Sequence, residues 1–86
     1  MIGSDLNKTV PWYIMARYAI QVENDPVVSD GMFEKIRRRL IEHWDEIEHE
    51  LKPMLAYEDV LERTFTGEFP KSVAMATQQM RRDWIA

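Results

Sequence analysis

Tyr18-Ala-Ile-Gln-Val-Glu-Asn24-Asp25-Pro26-Val-Val-Ser29-Asp30-Gly-Met-Phe33-Glu-Lys-Ile36-Arg-Arg-Arg-Leu40 is the stretch that decides the fold. It reads as the end of one helix, a proline turn and the start of a second helix. Proline disfavours α geometry at Asp25, and Asn and Asp side chains bond back onto nearby backbone in turns. Ser29 or Asp30 then caps the second helix and leaves a carboxylate near a terminus of partial positive charge. Gly31 in the opening turn lowers helix propensity by about 1 kcal/mol relative to Ala.

Upstream of the turn, Trp12 to Val22 is apolar almost all round, interrupted only by Arg17 and Gln21. Such a helix needs other elements, or a partner, on most of its sides. Thr9 is the expected cap, with Pro11 tolerated in the opening turn. That leaves residues 1–8 as a flexible lead-in and residues 9–86 as one helical domain.

Downstream, Phe33, Ile36, Leu40, Trp44, Ile47 and Leu51 recur at spacings of 3, 4, 4, 3 and 4. This single stripe predicts one long helix of about 22 residues, a rod of roughly 33 Å, stopped by Pro53. Met54 to Thr64 reads as a short third helix with Leu55, Val60 and Leu61 as its contacts. Gly67 breaks the chain, and Pro70 opens a fourth helix whose face is Val73, Ala76, Met80 and Trp84. Trp84 and Ile85 dock on the core, or, if the last turn frays, present apolar groups to a partner. No segment alternates with period two. The fold class expected is all-α: a small bundle of three to four helices built on a helix–Pro turn–helix hairpin.

Eighty-six residues with 45% hydrophobic content fit one globular domain near the lower size limit for an independent core. The absence of Cys excludes disulfides, thiolate nucleophiles and Cys-ligated zinc, and suits a reducing cytoplasm. A net charge of −4 provides no overall field toward nucleic acid, so direct nucleic-acid binding is not expected. Met1 to Asp5 lacks the basic start of a secretory signal, and no run approaches the ~20 apolar residues that span a bilayer.

The second helix carries Lys35, Arg37, Arg38 and Arg39 in its first half, and Glu42, Asp45, Glu46, Glu48 and Glu50 in its second. The helix dipole prefers the reverse order. The basic block reads either as an anion site, starting from Arg37 at the edge of the stripe, or as a solvated face with pairs such as Arg38–Glu42. His43 and His49 lie about 120° apart around a helix and cannot grip one ion together from it. Asp45/His49 and Glu46/Glu50 have i,i+4 spacing, but no zincin-like pattern occurs, and hydrated surface charge is the plainer reading. Ser29 and Ser72 lack a nucleophile-elbow context, and three scattered glycines build no phosphate loop.

The turn region resembles the N-terminal nicotinamide-mononucleotide-binding module of NAD-dependent DNA ligases. Tyr18, Pro26, Ser29, Asp30, Phe33, Ile36 and Leu40 stand in register with it without a gap, over the Tyr18–Leu40 stretch and not beyond. The resemblance implies a helical unit that contacts the nicotinamide nucleotide near the turn, at positions held here by Gln21, Asp30, Phe33 and Glu34; the basic block adds Arg37 as the fifth candidate ligand-binding residue. Departures fall on those same contacts. Ile20 and Gln21 replace an aromatic and polar pair, Asn24 replaces the turn aspartate, Phe33 lacks the phenol oxygen, and Glu34 lengthens the carboxylate. A site stripped of its phenols binds a polar nucleotide poorly.

None of Lys8, Lys35, Lys52 and Lys71 sits in a Lys-x-Asp-Gly adenylation motif, so the chain is not expected to be an enzyme by itself. Stand-alone relatives of the module are a habit of bacteriophage genomes. Three functions follow as expectations. The first is a non-enzymatic, ligase-module-like protein-interaction unit, with NAD or nicotinamide mononucleotide a doubtful ligand. The second is a trans-acting subunit of a split NAD-dependent ligase. The third is an oligomerising, phage or host-directed interaction protein, suggested by the apolar first helix.

Overall fold

The computed structural model describes residues 2–85, with side chains over residues 6–82. Four α-helices follow one another: α1 (Ile2–Gln21), α2 (Asp30–Glu42), α3 (Tyr57–Glu62) and α4 (Lys71–Ile85), with a short 3₁₀ turn at Lys52–Met54. No strand occurs among the described residues, so the domain is all-α. α1 is the central element, packed on α2 and on α4, while α3 packs on α2.

The proline turn forms as the sequence predicts. Asn24 adopts left-handed backbone (φ 53°), which Asn tolerates better than most residues. This lets the Asp25 amide reach back to the Ala19 carbonyl at 2.9 Å. Ser29, not Asp30, is the N-cap of α2; its Oγ accepts from the Met32 amide at 3.2 Å. Phe33, Ile36 and Leu40 then bury against Val10, Tyr13 and Ile14 of α1. Burial of each such side chain contributes roughly 1.5–3 kcal/mol.

Three boundaries differ from expectation. α1 begins at Ile2, well before Thr9, and Pro11 lies inside it. Thr9 is buried, and its hydroxyl turns back to the Leu6 carbonyl instead of capping. The added turns are held from a distance: Leu6 packs on the core, and Asn7 Oδ1 accepts the Glu48 amide at 3.0 Å.

The long second rod is also shorter than predicted. α2 ends at Glu42, and His43 is its C-cap. The acidic block from Asp45 to Glu50 would crowd like charges at a negative helix end, so continuation is unfavourable there. The stripe survives in part without the helix, for Ile47 is fully buried and Trp44 and Leu51 pack against the core.

The third helix is confined to Tyr57–Glu62, where Val60 buries but Leu61 is exposed; Leu55, also buried, lies before it at the end of the 3₁₀ turn. It ends at Arg63, which takes left-handed backbone (φ 61°). Pro70 precedes α4 as predicted, its carbonyl accepting from Val73 and Ala74. The inner face of α4 runs Val73, Thr77, Met80, with Ala76 exposed. Thr77 is tolerated inside because its hydroxyl donates to the Val73 carbonyl at 2.7 Å. The Trp84 and Ile85 side chains lie outside the described residues.

Candidate functional site

Four of the five candidate residues lie where α1, α2 and the 63–65 loop meet, in two separate groups: Gln21 and Phe33 around Arg17, and Glu34 and Arg37 around Arg63. Gln21, in the last turn of α1, accepts from Arg17 Nε at 2.8 Å and donates to the Phe65 carbonyl at 3.1 Å. Phe33 is buried, stacked on Tyr13 with ring centroids 5.4 Å apart, and the Arg17 guanidinium lies 5.8 Å from its centroid. Glu34 accepts from Arg63 Nε at 2.6 Å and from Arg37 Nη2 at 3.1 Å. Asp30 stands apart, exposed in the first turn of α2, with no side-chain hydrogen bond among the described residues.

These partners set the chemistry. Hydrogen bonds from Arg63 and then Arg37 hold the Glu34 carboxyl down to about 2, so it stays charged at any ordinary pH. Every nitrogen of Arg37 is engaged: Nε and Nη2 with Glu34, and Nη1 with the Val60 and Leu61 carbonyls that end α3. The basic block therefore pairs through Arg37–Glu34; the anticipated Arg38–Glu42 pair is not formed among the described residues. Burial, opposed in part by the nearby Arg17 guanidinium, pushes the Tyr13 phenol up to about 12. Its hydroxyl meets the Asp59 carbonyl at 3.1 Å and the Thr64 carbonyl at 2.6 Å.

Sequence reasoning missed Asp59, Arg63 and Arg81. The buried Asp59 carboxylate takes the Thr66 amide at 3.0 Å and the Thr66 hydroxyl at 2.9 Å, which fixes the loop carrying Arg63. Arg81 of α4 clips the proline turn, bonding Glu23 Oε1 at 2.7 Å and Asp25 Oδ2 at 2.6 Å. An acidic residue one turn into a short helix, followed by two threonines, was a weak signal for the first. None existed for Arg63 or Arg81.

The histidines do not converge. His43 Nδ1 pairs with Glu46, and His49 Nδ1 accepts the Leu51 amide at 3.0 Å. The chain has left the helix there, so the helical angle between them no longer applies. No group of three or more metal-type ligands assembles among the described residues.

On another side of α2, the bundle leaves a concave, almost wholly apolar cleft of about 240 Å³ between α1, the proline turn, α2 and α4. Trp12, Met15, Val28, Met32, Ile36 and Met80 line it. Trp12 and Met32 are 36% and 47% exposed, so the cleft opens to solvent. No described helix is long and apolar enough to cross a membrane. Comparisons of the chain with protein-family models, with curated proteins and with solved structures match nothing.

Proposed function

We propose that this chain is a small non-enzymatic helical binding module whose working surface is the Trp12–Met32–Met80 cleft, with the ligase-like turn retained as scaffold. The observation that carries this reading is an open apolar concavity beside polar groups that are already paired. Exposing large apolar side chains around a cleft has a hydration cost that a partner removes. At the nucleotide-type positions the opposite holds. Glu34 and Arg37 satisfy each other and the end of α3, Gln21 bridges Arg17 and Phe65, and Phe33 is packed on Tyr13. A polar nucleotide entering there would have to replace bonds already made.

Titration with nicotinamide mononucleotide and with NAD, followed by backbone amide shifts, tests the reading. The expected result is no saturable change at millimolar ligand. A saturable set of shifts centred on Gln21, Asp30, Phe33, Glu34 and Arg37 would overturn it and assign the chain to nucleotide recognition, as the subunit of a split ligase requires.

A further inference from the structure

We infer that the cleft receives an amphipathic helix from another protein, with apolar side chains seated between Trp12, Met32 and Met80 and carboxylates along the flank facing Lys35 and Arg39. This rests on the cleft being the working surface; it adds the chemistry of the occupant.

The lining comes first. The cleft, of about 240 Å³, is lined by apolar side chains and lacks the convergent polar groups that orient a small-molecule or cofactor ligand. It suits the anchor side chains of a helix, which project at i, i+3, i+4 and i+7. Three of its lining residues, Met15, Met32 and Met80, are unbranched thioethers that re-pack around varied apolar groups.

Charge fixes the flank. A neighbouring hollow shares Trp12, Met32 and Ile36 with the cleft and continues to Lys35 and Arg39. Apolar floor and basic rim are thus one surface. Lys35 and Arg39 are exposed at i,i+4 on α2, and neither forms an ion pair among the described residues. Arg37, Arg63 and Arg81 by contrast are each bound to a carboxylate. These two cations, without an ion pair among the described residues, border the cleft, where an acidic flank gains orientation and on-rate.

A second copy of this chain fits less well. Its carboxylate-rich segment, 45–50, is not helical, and the one apolar residue within it, Ile47, is fully buried. Leu61 beside Glu58 and Glu62 is exposed but lies on the six-residue α3. An anionic membrane fits less well too, because the apolar groups line a hollow rather than a protruding ridge and the net charge is −4.

The test uses designed helical peptides with leucine anchors at i, i+3, i+4 and i+7 and flanks of glutamate, glutamine or lysine, titrated against the full chain. The glutamate peptide should bind, shifting the amides of Trp12, Met32, Ile36 and Met80. The Lys35→Glu/Arg39→Glu variant should lose about tenfold or more in affinity for it and gain affinity for the lysine peptide. Both positions are exposed, so the variant keeps its fold, which circular dichroism checks. Equal binding of the glutamate and glutamine peptides overturns the charge assignment and leaves the cleft reading standing. No binding by any peptide, with shifts in the cleft only on adding phosphatidylglycerol vesicles or on raising protein concentration, overturns the inference in favour of a membrane or a second copy. No shifts with any of these probes overturns both the inference and the cleft reading.

Discussion

Lys52 closes the break after α2 by folding over Trp44: its Nζ lies 4.9 Å from the indole centroid and donates to the Trp44 carbonyl at 2.5 Å and to the Ile47 carbonyl at 2.9 Å. One ammonium thereby supplies the backbone acceptors that an interrupted helix leaves behind, within a segment crowded with carboxylates. Removing it should loosen the whole 43–51 segment. Lys52→Met keeps the aliphatic stem and loses both bonds, so a cost of about 2 kcal/mol is expected. Urea denaturation of the two proteins measures it, and a loss within about 0.5 kcal/mol would mean water substitutes fully.

Tyr13 anchors the loop after α3 through one oxygen. Tyr13→Phe preserves the stack on Phe33 but leaves the Thr64 carbonyl without its Tyr13 donor. A destabilisation of about 1–2 kcal/mol follows. Hydrogen exchange should quicken at Thr64 and Thr66 more than in α1.

The same phenol gives an alkaline limit. Its folded value of about 12 lies above the 10.0 of an unperturbed phenol, so the folded state holds the proton more tightly than the unfolded chain does. The stabilisation is complete below pH 10 and is lost as pH rises toward 12. Alkaline melts should show a drop across that window that Tyr13→Phe abolishes.

Acid acts through Glu34 in the opposite sense. Its folded value of about 2, against 4.5 unperturbed, makes its contribution full above pH 4.5 and lost as pH falls toward 2. Glu34→Gln should flatten that part of the acid unfolding curve, and Arg63 and Arg37 should gain mobility. The carboxylate is half-exposed, so the effect will weaken with added salt.

Arg81→Ala removes the clip between α4 and the proline turn. Amides of α4 should exchange faster, while those of α1 and α2 stay protected. Uniform acceleration across all three helices would show that the clip supports the entire core.

Sequence alone gave access to whatever is local. Pro26, the Ser29 cap and the Phe33–Ile36–Leu40 ridge are dictated by neighbours within a turn or two, and they stand where expected. The helix ends were hidden because distant groups decide them. Asn7 reaches Glu48, Lys52 reaches back to Trp44, and Asp59 gathers Thr66. Of the candidate site, the sequence offered Gln21, Phe33, Glu34 and Arg37 as single positions near the turn, but not the pairing that occupies Glu34 and Arg37, since Arg63 arrives from another element. The cleft was not legible either. Trp12, Met32 and Met80 sit at helical spacing like any core residue, and only the placement of α4 determines which of them remains uncovered.

α4 meets the rest of the bundle chiefly along α1, and Arg81 ties it to the corner beside Val27 and Val28. Met80, one position before that arginine, supplies the far side of the cleft. The gap between the jaws is therefore held by an ionic latch at its back, so salt concentrated enough to screen the latch alters the aperture itself as well as the attraction of its rim.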